Sequence, residues 1–123
     1  MGLPARLLSQ TVTRVRPTKT TDAYGSDQYD YGVTATRTTY PGGTPNGAWI
    51  EQQSRTEPLT DGRDPLVESW LLMLNESDVD GRDRFEWIGP NGTLTFEVDG
   101  PPRPVHTPAG FHHTEATLRA VAG

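Results

Sequence analysis

The run Asp78-Val79-Asp80-Gly81-Arg82-Asp83-Arg84-Phe85-Glu86-Trp87-Ile88-Gly89-Pro90-Asn91-Gly92-Thr93-Leu94-Thr95-Phe96-Glu97-Val98-Asp99-Gly100 decides the fold. Two segments in which apolar and polar residues alternate, Arg84 to Ile88 and Leu94 to Val98, flank Gly89-Pro90-Asn91-Gly92. That is the pattern of a β-hairpin with one face on a core. Side chains of a strand repeat every two residues, so Phe85 and Trp87 share one face while Arg84, Glu86 and Ile88 share the other. On the return strand Leu94, Phe96 and Val98 form the apolar row against Thr95, Glu97 and Asp99. Asn91 and Gly92 tolerate the positive φ that a tight turn between twisted strands requires.

Outward from this hairpin the same period recurs. Gln10 to Arg16 alternates around Val12 until Pro17 stops it, and Thr34 to Tyr40 is β-branched and alternating. Ala48 to Gln53 follows a turn region, Pro41-Gly42-Gly43-Thr44-Pro45-Asn46-Gly47, with Trp49, Glu51 and Gln53 on one face and Ile50 and Gln52 on the other. Leu66 to Leu74 is the most apolar run. Its bounds, Pro65 and Asn75, suit a central strand better than a helix. Phe111 to Val121 closes the chain with another alternation. Between these segments, residues 1–9 read as a short helical turn or a flexible arm, and 17–33 and 54–65 as long loops. Pro101 to Gly110 reads as a Pro-rich connection. The expected fold is all-β, a single domain forming a small antiparallel β-barrel of roughly six or seven short strands with long loops. A barrel is preferred over a sandwich because closure leaves no exposed edge.

Composition agrees. The chain has 123 residues, 33 % of them hydrophobic, with 13 glycines and 11 prolines. One thin core and many turns follow, with about two-thirds of the unfolded surface buried at this length. The net charge of −5 argues against an adhesive duplex-binding surface, since such affinity comes from basic side chains displacing counterions. No apolar run approaches the roughly 18 residues of a membrane span, and the first residues lack a signal-peptide core. A soluble protein of the cytosol with no membrane partner is the expectation. The absence of cysteine removes disulfides and thiolate metal sites, in keeping with a reducing compartment.

Several constellations carry possible chemistry. His106, His112 and His113 invite a metal, but neighbours in a strand point to opposite faces, so His112 and His113 would not share an ion. Glu76, Asp78, Asp80 and Gly81 resemble the start of a calcium loop, yet Trp87 stands where its bidentate carboxylate belongs. Asn75-Glu76-Ser77 and Asn91-Gly92-Thr93 match a glycosylation sequon without a secretory leader to give it meaning. Asp-Gly-Arg-Asp occurs at 61–64 and again at 80–83. With flanks that do not align, it reads as two turns rather than a repeat or a catalytic carboxylate pair. No nucleophile elbow or phosphate-cradling glycine loop is present, so no catalytic residue, metal or cofactor is assigned and an enzyme is not expected. Tyr24, Tyr29, Tyr31 and Tyr40, with Trp49, could form a stacking platform or anchor a protein interface. Asp22, Asp27 and Asp30 disfavour nucleic acid there.

The order of features is also familiar. A first strand ending Val15-Arg16-Pro17 precedes Thr21-Asp22-Ala23-Tyr24-Gly25, a strand with Trp49, and a loop ahead of Asp61-Gly62-Arg63-Asp64. Then come the apolar strand, Asp78-Val79-Asp80-Gly81-Arg82-Asp83, Phe96-Glu97-Val98-Asp99-Gly100-Pro101-Pro102 and His113-Thr114-Glu115-Ala116-Thr117-Leu118. In this order they resemble the head-to-tail stopper (head completion, or head closure) proteins of long-tailed, siphovirus-type bacteriophages, over roughly residues 10 to 121. The chain departs from that pattern at Gly89 to Gly92 and at Pro41 to Gly47. The resemblance implies a β-barrel that assembles as a ring of six or twelve copies in the virion, at the head-tail junction, after synthesis in the host cytoplasm. Its implied partners are the portal and adaptor above and the tail terminator below, with double-stranded DNA passing through unread. A loop projecting into the channel would hold the genome in, here Thr56, Glu57, Pro58, Leu59, Thr60, Asp61, Gly62, Arg63 and Asp64, with the 17–33 loop as the rival gate. Subunit contacts would recruit Tyr24, Gly25, Tyr29 and Tyr31. The alternatives are a tail-tube or minor tail β-domain, and a carbohydrate-binding β-module.

Overall fold

The alternating segments become strands in a computed structural model of the chain, which describes residues 2–56 and 67–121. In order these are β1 (Val12–Arg16), β2 (Thr18–Thr21), β3 (Asp27–Asp30), β4 (Thr36–Tyr40), β5 (Ala48–Thr56), β6 (Val67–Leu74), β7 (Arg84–Gly89), β8 (Gly92–Val98), β9 (Arg103–Thr107) and β10 (Gly110–Ala120). No helix occurs among the described residues. The main sheet runs β4-β1-β7-β8-β10-β6-β5, with every pairing antiparallel, and curls into a half-barrel. The long β10 organises one side of it. One edge takes β6, while the other takes β9 along Gly110 to Glu115 and then β8 along Leu118 to Ala120.

The founding hairpin forms as its pattern predicts. Phe85 opposes Phe96 and Trp87 opposes Leu94, and both phenylalanines are fully buried. They meet Val12, Tyr40, Ala48, Ile50, Leu72, Leu74, Ala116 and Leu118 in one core, with Trp70, Val79, Trp87 and Val98 packed against it. The turn differs in one detail. Positive φ falls on Gly92 and not on Asn91, because Pro90 sets the first corner and the glycine alone relieves the twist after it. In β6 Leu72 and Leu74 are buried, while Leu71 and Met73 are partly buried, a strand's alternation hidden in an apolar run.

Three expectations are corrected. The segment 17–33 is not a structureless loop but holds the β2–β3 hairpin, Thr18 to Thr21 against Asp30 to Asp27. Its strands are exposed on nearly every side, so no apolar alternation announces them. The Pro-rich 101–110 connection contains β9, an edge strand, where Pro104 removes no ladder bond the fold needs. Of the two readings of residues 1–9 the short turn holds, with Leu7 and Leu8 N–H donating to the Pro4 and Ala5 carbonyls, and the flexible arm does not: Leu8 is fully buried, and Asn75 clasps Leu3 with two hydrogen bonds of 2.8 and 3.0 Å. With these additions the strands number ten among the described residues, rather than six or seven.

Closure happens at one end. Gln10 and Ala48 exchange backbone hydrogen bonds of 2.8 and 2.9 Å, joining the approach to β1 onto β5. The turn 41–47 locks this seam, with Gly43 N–H donating to the Leu8 carbonyl at 2.8 Å. An added Cβ on Gly42 would strike the Ser9 carbonyl, and one on Gly47 the Leu8 carbonyl. These glycines are there for close approach of two backbones. Elsewhere β4 and β5 remain the edges of the sheet.

Candidate functional site

The β2–β3 hairpin is the feature least explained by the core. Among the described residues its two strands pair only with each other, and an isolated hairpin of this size is marginal in water. What steadies it is its root. Tyr31 donates its hydroxyl hydrogen to the Arg82 carbonyl at 2.7 Å, and its ring lies 3.9 Å beneath the Arg84 guanidinium. Tyr29 stacks with Arg82 at 4.5 Å. Such cation–π contacts contribute roughly 0.5–1 kcal/mol each at exposed positions. Burial pushes the Tyr31 phenol above its ordinary value, with the two arginines opposing. Beside it the Asp30 carboxylate accepts from the Thr34 hydroxyl and the Gly32 N–H, which hold it below the usual range.

The arginines on which the root stacks are themselves fixed. Arg82 and Arg84 flank Asp83, whose side chain is wholly buried. Arg16 reaches it with both ends of its fork, Nε to Oδ1 at 2.9 Å and Nη2 to Oδ2 at 2.8 Å, and also donates to the Asp78 carboxylate at 2.8 Å. The Asp80 N–H adds a third donor to Asp83, and the Asp83 N–H closes a turn on the Asp80 carbonyl. Asp83 and then Asp78 hold the Arg16 guanidinium well above its ordinary value. Because Arg16 ends β1 and Pro17 opens the arm, one ion network anchors both the arm's first residue and the loop its tyrosines rest on. Bidentate geometry makes such a pair directional as well as strong.

At the far end the arm is equally ordered. Asp22 Oδ1 accepts from the N–H groups of Tyr24 and Ser26, both at 2.9 Å, and Gly25 takes a φ of +82°. The turn leaves Tyr24 94 % exposed. The four residues expected at an interface thus divide: Tyr24 and Gly25 form the tip, while Tyr29 and Tyr31 are engaged within the chain. The wider aromatic platform does not form, since Tyr40 is buried in the core. The expected gate residues from Glu57 to Asp64 lie outside the described residues, as does the first Asp-Gly-Arg-Asp. Thr56 ends β5, paired with Val67 across the base of that connection.

Two features escaped the sequence reading. A groove of about 280 Å³ is lined by Trp70, Trp87, Pro90, Leu94 and Gln52. Its tryptophans lie 5.8 Å apart, ring centre to ring centre. β7 runs from Arg84, under the arm, to Gly89, at the groove's rim, so arm and groove occupy opposite ends of one strand. The second is the convergence of His112 and His113, taken up below. No protein-family model matches the chain, and no curated protein matches it.

Proposed function

We propose that this chain is a structural virion protein of a long-tailed bacteriophage, forming a ring at the head-tail junction that closes the DNA channel after packaging and gives the tail its docking surface. The observation that carries the reading is the self-paired arm of β2 and β3, braced at its root and presenting Tyr24 to solvent. Within one chain such an arm buries almost nothing. Between identical copies it supplies a contact, and a head-to-tail contact between unlike patches closes into rings. The edge strands β4 and β5 offer further backbone donors and acceptors for pairing. The order of short motifs from Val15 to Leu118 supports the same reading.

The mechanism is steric. A ring of copies carrying −5 each repels phosphates, so packaged DNA rests against it and later slides through without adhering. The segment 56–64 is the gate, the portal and adaptor are the partners above, and the tail terminator is the partner below. Weak contacts around the ring multiply into a stable assembly. The role calls on no catalytic group or cofactor.

Electron microscopy of a lysate from the parent phage, with a stop codon early in this gene, tests the proposal. Heads without tails beside finished free tails are the expected result. Full heads with defective tails would move the protein into the tail as a tube or minor tail component. A second reading rests on the paired Trp70 and Trp87 in their groove, a surface on which sugar rings stack. It expects a monomer whose tryptophan fluorescence responds to glycans, and a silent glycan panel removes it.

A further inference from the structure

The expectation that His112 and His113 point apart fails for a definite reason. The β9–β10 ladder shifts register between Phe111 and His113: Phe111 opposes His106 and His113 opposes Val105, leaving His112 as the extra residue of a β-bulge. Bulges redirect side chains in this way. The usual alternation breaks, so that His113 and Thr114 are both buried. As a result the two imidazoles meet edge to face, Nδ1 to Nδ1 at 2.8 Å.

We propose that His112 and His113 form a bidentate site for a divalent transition-metal ion of the Cu(II) or Ni(II) type, bound through the two Nδ1 atoms. Imidazole nitrogens sit about 2.0–2.1 Å from such ions, so two at right angles lie about 2.9 Å apart. The two nitrogens already lie within about 0.1 Å of that cis spacing, and imidazole ligands suit Cu(II) and Ni(II). The distal side of His113 is already arranged for the role. Its Nε2 lies 3.0 Å from Glu115 Oε2, and Arg103 donates to the other carboxylate oxygen at 3.1 Å. A carboxylate accepting the Nε2–H fixes the tautomer in which Nδ1 carries the lone pair, as outer partners of metal-bound histidines do.

Without metal, that lone pair accepts the Nδ1–H of His112. Binding requires His112 to move its proton from Nδ1 to Nε2, with no net release when both rings are neutral. No group of three or more His, Cys, Asp or Glu among the described residues surrounds one point, so the two imidazoles carry the site and water completes it.

The test is titration of the tag-free full chain with Cu(II) and Ni(II) at neutral pH, followed by calorimetry, electron paramagnetic resonance of the copper form and thermal melting. Expected are one ion per chain, a two-nitrogen hyperfine pattern and a melting temperature that rises with metal. His112→Gln removes one of the two ligands and should abolish all three, while circular dichroism shows the metal-free variant still folded. Glu115→Gln should weaken binding by about tenfold, and His106→Gln should change nothing. A two-nitrogen signal that persists in folded His112→Gln, or the absence of binding by the folded wild-type chain up to millimolar metal, overturns the proposal.

Discussion

Among the described residues Asp83 is the most deeply buried charged residue, 1 % exposed against 7 % for Arg14. Its carboxylate has no exposed side-chain surface and accepts three hydrogen bonds, two from Arg16 and one from the Asp80 backbone. Replacing it with alanine leaves Arg16 only its more exposed partner, Asp78. Breaking a buried pair from one side costs about 3–5 kcal/mol, so Asp83→Ala should lower the urea midpoint by the equivalent of about 3 kcal/mol. A loss under about 1 kcal/mol would show the pair to be dispensable. Asp78 answers differently because its side chain is 64 % exposed. Chiefly through the hydrogen bond from Arg16, its carboxyl is held below the ordinary value of 3.8. A depressed folded pKa means the contribution is complete above that ordinary value and lost as pH falls below it toward the folded one. Melts taken from pH 6 down to 3 should therefore show wild-type and Asp78→Asn converging in acid. Curves that stay parallel throughout would remove Asp78 from the acid response. Nothing in the two Asp-Gly-Arg-Asp tetrapeptides announces that 80–83 holds a buried anchor, because burial is set by Arg16, 67 positions away in sequence.

Among the elements, legibility followed burial. β7 and β8 were readable because one face of each meets the core, which imprints a period of two on the sequence. β2 and β3 bury almost nothing, and β9 lies on an edge that accepts proline, so neither left such an imprint. The bulge at His112 was hidden for a related reason: a single extra residue changes spatial register without changing composition. The arm's dependence on its root yields a prediction. Tyr31→Ala removes the hydroxyl group that donates to the Arg82 carbonyl and the ring under Arg84, leaving the root of the arm its covalent ends and the Tyr29–Arg82 contact. Hydrogen exchange should then quicken across Thr18 to Asp30 while β7, β8 and β10 keep their protection. Faster exchange throughout the sheet would mean that the arm and barrel unfold together. At the closing seam, Gly47→Ala forces a Cβ against the Leu8 carbonyl. Overpacking of this kind costs about 1–3 kcal/mol, readable in a denaturant melt, and an unchanged melt would show the seam to be compliant.

At the scale of the whole molecule, an all-β, barrel-like fold was legible from alternation and turns, whereas the opening of the barrel between β4 and β5 was not. A ring depends on surfaces that meet only between copies, and exposed residues such as Tyr24 carry no periodic signature of a partner. The proposed gate can be separated from the proposed ring by surgery on one connection. Thr56 and Val67 are direct antiparallel partners, so the strands on either side are already at hairpin spacing. Replacing 57–66 with Asn-Gly supplies a two-residue turn suited to the twist of such strands, and a shorter loop lowers the entropic cost of closure. The barrel should therefore fold and assemble as before. Heads built with this variant should acquire the ring but lose packaged DNA on standing, measured as nuclease-sensitive genome released from purified heads that lack tails. Rings present with the genome retained would remove 56–64 as the gate and leave the junction role intact. Heads lacking the ring altogether would instead assign this connection to subunit contact, transferring to it the role argued for the arm of β2 and β3.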